Sequence, residues 1–135
     1  MNIYFAGSIR GGRQDVCLYG TIIHAIQQRG HTVLTEHIGN PDYVSSAPDD
    51  VIYRTDTDWI LSSDCVIAEC TQPSLGVGYE LAFAEAHEKL VYFLYNAKAH
   101  LSAMLAGNPA FHLYPYHTSE ELESLLDHIL SRYSV

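Results

Sequence analysis

The sequence predicts an α/β fold, a three-layer sandwich built on a five-stranded parallel sheet. Two observations predict it. Short apolar runs alternate with segments of helical spacing along the whole chain, which calls for right-handed crossovers and a sheet covered on both sides. The run Cys65 to Glu69 (CVIAE) has an unbroken apolar core, as a strand buried on both faces requires.

The elements follow in order. Asn2 to Ala6 (NIYFA) reads as the first strand, ended by Gly7. Gln14 to Arg29 reads as a helix stopped by Gly30, and Thr32 to Leu34 as a short second strand. Asp49 is placed to cap a helix running to about Ser62. After the third strand, Cys65 to Glu69, comes a helix from Val77 to about Glu88, then strands Leu90 to Tyr95 and Phe111 to Tyr116. Thr118 and Glu121 fit a capping box for a final helix ending near Tyr133. Five strands suit the flavodoxin-like order 2-1-3-4-5. In such sheets ligands bind outside the carboxyl ends of the strands, at the switch point between the first and third. Two glycine-rich loops leave those ends here, GSIRGGR (residues 7–13) and TQPSLGVG (residues 71–78).

The 135 residues are expected to form one domain, 1–135. Apolar residues make up 47% and charged residues 17%, a composition that excludes a disordered chain. No apolar run approaches a membrane span and no signal pattern opens the chain, so a cytoplasmic location is expected. The formal net charge of −9 argues against a nucleic-acid polymer as partner. Charge is unevenly spread: residues 1–40 sum to +1 and the remainder to −10, and GSIRGGR is the one locally positive stretch. Cys17, Cys65 and Cys70 have no paired zinc spacing, and the eight histidines form no HxH, HExxH or compact cluster. No metal and no cofactor are expected.

In GSIRGGR, glycines let the backbone approach a ligand, Ser8 adds a hydroxyl and Arg10 a guanidinium fork suited to a phosphate. The loop is neither GxGxxG nor a Walker loop, which speaks against a dinucleotide or triphosphate. In TQPSLGVGYE, Val77, Glu80, Leu81 and Ala84 share one stripe at helical spacing. A carboxylate in an apolar stripe is costly to bury unless it is used or paired. In DDVIYRTDTDWI, Ile52, Asp56, Trp59 and Ile60 share a face, which selects Asp56 as the inward acid and Asp58 as the solvated one; pairing of Asp56 with Arg54 or Arg10 is the competing reading. Tyr4 stands mid-strand, where its hydroxyl needs a partner if buried. Two inward carboxylates beside an anion loop suggest displacement at an anomeric carbon. No GxSxG or serine–histidine set points to acyl transfer.

The segments IYFAGSIRGGR (3–13), VLTEH (33–37), TQPSLGVGYEL (71–81) and LSAM (101–104) resemble the 2′-deoxynucleoside 5′-monophosphate N-glycosidases of the Rcl type, within the nucleoside 2-deoxyribosyltransferase superfamily. The resemblance implies a flavodoxin-like homodimer that hydrolyses deoxynucleoside monophosphates to free base and 2-deoxyribose 5-phosphate through a covalent glutamyl intermediate. It makes Glu80 the nucleophile, Asp56 the acid that assists base departure and Tyr4 the group that orients the nucleophile. It also makes Gly7, Ser8, Ile9, Arg10, Ser74, Gly78, Ser102 and Met104 substrate contacts, with Ser102 completing the neighbouring subunit's site. Ser102 alone would read as an ordinary helix cap. The stretch Ile38 to Asp50 departs from the family pattern and leaves base preference open. Three alternatives stand beside this reading: deoxyribosyl transfer to a second base, hydrolysis of ribonucleoside monophosphates of the CMP kind, and a non-catalytic nucleotide sensor.

Overall fold

The computed structural model describes residues 1–10 and 14–132. Five parallel strands, β1 (Asn2–Ala6), β2 (Thr32–Val33), β3 (Cys65–Glu69), β4 (Leu90–Asn96) and β5 (His112–Tyr116), form one sheet in the order β2-β1-β3-β4-β5. The expected fold class and strand order are both present. The helices are α1 (Val16–Gln28), α2 (Asp49–Ser62), α3 (Leu75–Ala86), α4 (Ala103–Ala106) and α5 (Ser119–Ser131), and a short 3-10 turn spans Glu36–Gly39. Neither that turn nor α4 is among the expected elements; both are four residues long, too short for a periodic signature. No helix among the described residues is long and apolar enough to cross a membrane.

Alternation along the strands builds two cores. Ile3, Phe5, Cys65, Ile67, Tyr92 and Leu94 face α1 and α5. Tyr4, Ala6, Val66, Ala68, Val91 and Phe93 face the other way, onto Ile60 of α2 and Val77, Leu81 and Ala84 of α3. All five residues of β3 are buried, as its composition requires. The sheet thus sorts Tyr4 onto the same side as α2 and α3.

Several boundaries shift by one or two residues, and local contacts decide the starts of α2, α3 and α5. The chain reaches α2 extended at Pro48, so Asp49 is the first helical residue and not the cap; its carboxylate pairs with Arg10 instead (2.8 Å). Ser74 caps α3 by accepting a hydrogen bond from the Val77 N–H (3.3 Å), which starts that helix at Leu75 instead of Val77. Thr118 caps α5 as expected, accepting from the Glu121 N–H (3.1 Å), but the Glu121 carboxylate takes the His117 N–H (2.6 Å) instead of closing on Thr118. The expected end of α5 at Tyr133 lies outside the described residues.

Candidate active site

Three carboxyl-edge features converge on one cleft of about 830 Å³, a size suited to a small-molecule ligand. The first is the turn after β1. Its backbone runs against the ring of Tyr19 from α1: a side-chain carbon on Gly7 would stand 2.9 Å from that ring, so only glycine fits. The Ser8 N–H donates to the Tyr19 hydroxyl (3.1 Å), and burial pushes that hydroxyl's pKa up to about 12, which keeps it neutral. Gly7, Ile9 and Arg10 line the cleft. Ser8 itself is fully buried behind the lining. Gly11, Gly12 and Arg13, the rest of the expected anion loop, lie outside the described residues.

The second feature is the amino end of α3. Ser74, Leu75, Gly76, Val77 and Glu80 line the cleft, so the positive end of the helix dipole and the N-terminal backbone amides are turned toward it. Gly78 is not on the lining.

The third is the inward face of α2, which contributes Ile52, Asp56 and Trp59, while Asp58 is exposed as its spacing predicts. Arg54 pairs with Asp50 (3.3 Å) and Arg10 with Asp49 (2.8 Å), so neither arginine takes the place beside Asp56 that the competing reading gave it. The Arg10–Asp49 pair is exposed on both sides, 73% and 81%, and such a pair opens readily for a stronger anion.

Tyr4, Asp56 and Glu80 come together where β1, α2 and α3 meet. Tyr4 lies just under the cleft, 1% exposed, and its hydroxyl hydrogen-bonds Glu80. Burial lifts the Glu80 carboxyl to a pKa of about 7; the Tyr4 hydrogen bond opposes that rise and the charge of Asp56 adds to it. Burial also raises Asp56 above the ordinary carboxylate range. Burial, then the charges of Glu80 and Asp56, drive the Tyr4 hydroxyl far above its usual value, so it stays a proton donor to Glu80. The charge of Asp56 thus opposes ionisation of Glu80 beside it.

The opposite wall is aromatic. Thr35, after β2, clasps β1 by accepting from the Phe5 N–H (3.0 Å) and donating to the Phe5 carbonyl (2.6 Å). That clasp delivers the 3-10 turn and its His37, whose ring lies 4.5 Å from Tyr43 and 5.8 Å from Trp59 between centroids. Pro41, Tyr43 and Val44 extend this wall; sequence reasoning missed them, since they lie in a loop without period and only the aromatic at 43 could have signalled a stacking surface. Ser102 caps α4, accepting from the Met104 N–H (3.3 Å). Neither Ser102 nor Met104 lines this cleft; both are exposed, Met104 by 81%. Among the described residues, no group of three His, Cys, Asp or Glu is placed to hold a metal.

The sequence profile of the nucleoside 2-deoxyribosyltransferase family matches residues 3–127. The chain belongs to that family. This deoxyribosyltransferase-family protein is 45% identical over 137 residues to the 5-hydroxymethyl-dUMP N-hydrolase of Danio rerio, with 94% of each chain covered. It is 42% identical over 135 residues to the 5-hydroxymethyl-dUMP N-hydrolase of Homo sapiens, covering 93% of this chain and 76% of that one. Its fold matches the CMP N-glycosidase of Clostridium botulinum (TM-score 0.68, 22% identity, 95% and 99% covered). It matches the 2-deoxyribosyltransferase of Bacillus psychrosaccharolyticus as well (TM-score 0.69, 16% identity, 93% and 96% covered).

Proposed function

We propose that this protein hydrolyses the N-glycosidic bond of 2′-deoxynucleoside 5′-monophosphates, releasing the free base and 2-deoxyribose 5-phosphate. The observation that carries the reading is the Tyr4–Glu80–Asp56 cluster at the junction of a phosphate-sized turn and an aromatic wall. The names of the full-length relatives support the same chemistry.

The 5′-phosphate sits against Gly7, Ile9 and Arg10, the Ser74 hydroxyl and the amino end of α3, displacing Asp49 from Arg10. Ser8, whose N–H is held by the Tyr19 hydroxyl, and Gly78, within the first turn of α3, stand behind these contacts. The base lies along His37, Tyr43 and Trp59. Glu80, ionised and held by the Tyr4 hydroxyl, attacks C1′; the C1′–N bond breaks, its electron pair leaves with the base, and Asp56 supplies the proton the base needs. Asp56, now a carboxylate, takes a proton from water, which attacks C1′ and frees Glu80. A sugar without the 2′-hydroxyl forms the oxocarbenium-like transition state easily. The phosphate, distant from the bond that breaks, supplies binding energy that orients C1′ against Glu80.

The working unit is a cytoplasmic homodimer in which Ser102 and Met104 of one subunit complete the phosphate side of the other. Exposure of Leu75 (96%) on the cleft lining and of Met104 (81%) on α4 supports this, since large apolar side chains left in water are suited to being covered in an assembly.

Base release is measured with 5-hydroxymethyl-dUMP, dGMP, deoxyguanosine and GMP. The reading expects release from the two deoxynucleotides and little from the other two. Release from deoxyguanosine as fast as from dGMP overturns the phosphate site, and release only when a second base is present makes the protein a transferase. Binding without any release identifies a nucleotide sensor.

A further inference from the structure

On the face of the sheet opposite Glu80, a second carboxylate is buried. Glu69, the last residue of β3, is 0% exposed, and strand alternation places it with Cys65 and Ile67 toward α1 and α5. The proposed chemistry leaves it idle, and a buried carboxylate is an expensive way to fill a core. Its hydrogen bonds are all accepted ones. One oxygen takes the Thr71 N–H (2.7 Å); the other takes the Thr71 hydroxyl (2.8 Å) and the Tyr116 hydroxyl of β5. Burial raises its pKa, while those three donors and the nearby charge of Asp15 pull in opposite directions. Tyr19 of α1 and Cys70 also feel its charge.

Thr71 passes the constraint on. The Cys70 N–H bonds the Leu94 carbonyl (2.9 Å), and the Asn96 N–H then bonds the Thr71 hydroxyl oxygen (2.9 Å). A side chain thereby continues the β3–β4 ladder one step beyond the end of β3. The loop that begins there reaches Ser74 within three residues and Glu80 within the next two turns of helix. Asn96 in turn opens the segment leading to Ser102, and the Ala97 N–H bonds the Tyr116 carbonyl (2.8 Å).

We propose that Glu69 is a positioning residue: through Thr71, Tyr116 and Asn96 it locks the carboxyl edge of β3, β4 and β5 and so sets where Ser74 and Glu80 stand in the cleft. The proposal rests on the reaction given above only for its kinetic readout. The sharpest test is the pair Thr71→Val and Thr71→Ser, because valine keeps the shape and removes the hydroxyl link, while serine restores the link.

Thr71→Val is expected to lower kcat for deoxynucleotide hydrolysis by roughly tenfold or more, with KM changed less. Thr71→Ser is expected to stay within about twofold of wild type. Glu69→Gln, which cannot accept all three donors, is expected to lower kcat and move the kinetic limb of Glu80 below pH 7, as a loosened loop lets water reach that carboxyl. Backbone hydrogen exchange over residues 71–80 should quicken in Thr71→Val and Glu69→Gln and stay at the wild-type rate in Thr71→Ser. Wild-type exchange and kcat in Thr71→Val overturn the positioning role. A wild-type protein that releases no base sinks the proposed reaction instead, and hydrogen exchange then decides the role of Glu69 by itself.

Discussion

Glu80 is held in a state that its surroundings tune from both directions: burial lifts its pKa to about 7 and the Tyr4 hydrogen bond restrains that lift. Removing the hydroxyl removes the restraint. Tyr4→Phe is therefore expected to move the limb of the kcat–pH profile that reports Glu80 upward from about pH 7, with lower turnover at neutral pH, measured by base release across a pH series. The same carboxyl sets a stability dependence. Folded Glu80 keeps its proton up to about pH 7, whereas the unfolded chain releases it near 4.5, so folded stability is fullest below 4.5 and falls as pH rises toward 7. Glu80→Gln takes away that loss and should raise the unfolding free energy at pH 8 by up to about 3 kcal/mol, with little change at pH 4. Urea unfolding at the two pH values checks it. At this scale the sequence was informative where a polar residue interrupted an apolar period: Glu80 in the α3 stripe and Asp56 on the α2 face both announced themselves. Glu69 did not, because a carboxylate at the last position of a strand reads as the start of a loop; only the partners Thr71 and Tyr116, the latter distant in sequence, show that it is buried.

The elements place these side chains by close packing as much as by period. The 3-10 turn that carries His37 lies against α1 backbone to backbone: a side-chain carbon on Gly39 would stand 2.7 Å from the Gly20 Cα. Gly39→Ala must push the turn away from α1, and a destabilisation of about 1–3 kcal/mol is expected by denaturant titration, together with weaker binding of the base. Nothing in the letters EHIG separates such a contact from an ordinary turn, because the partner glycine lies on another element. The strands were legible for the opposite reason. β3 carries its signal within five residues, since burial on both faces leaves Cys65 to Ala68 apolar without a break. Helix ends were less so: Ser74 and Asp49 are both good caps by type, and whether the chain arrives extended at 74 or at 48 is decided by the turns before them.

As a whole the molecule carries a charge of −9, and Arg10 is the one cationic side chain among the described residues of the cleft lining. In the proposed homodimer the neighbouring subunit adds the Ser102 hydroxyl to that side of the cleft. Mixing two impaired variants, Ser102→Ala and Glu80→Gln, allows one intact site in each mixed dimer, so activity should return to about a quarter of wild type after subunit exchange. A mixture no more active than its parts contradicts sharing of Ser102 between subunits. The parallel sheet was readable from alternation; its order was not, and the convergence of two loops at the β1–β3 switch point followed only from the flavodoxin-like order that five such strands suit. The aromatic wall at residues 41–44 was not readable, since it depends on packing between segments without a period of their own.

The central claim is that Glu80 forms the bond to C1′. It is tested most directly by base release from a deoxynucleoside 5′-monophosphate by Glu80→Gln, with binding of the same nucleotide measured alongside. The account predicts turnover lower by on the order of 10³-fold or more and a Kd within about fivefold of wild type. Turnover by Glu80→Gln within tenfold of wild type would contradict it.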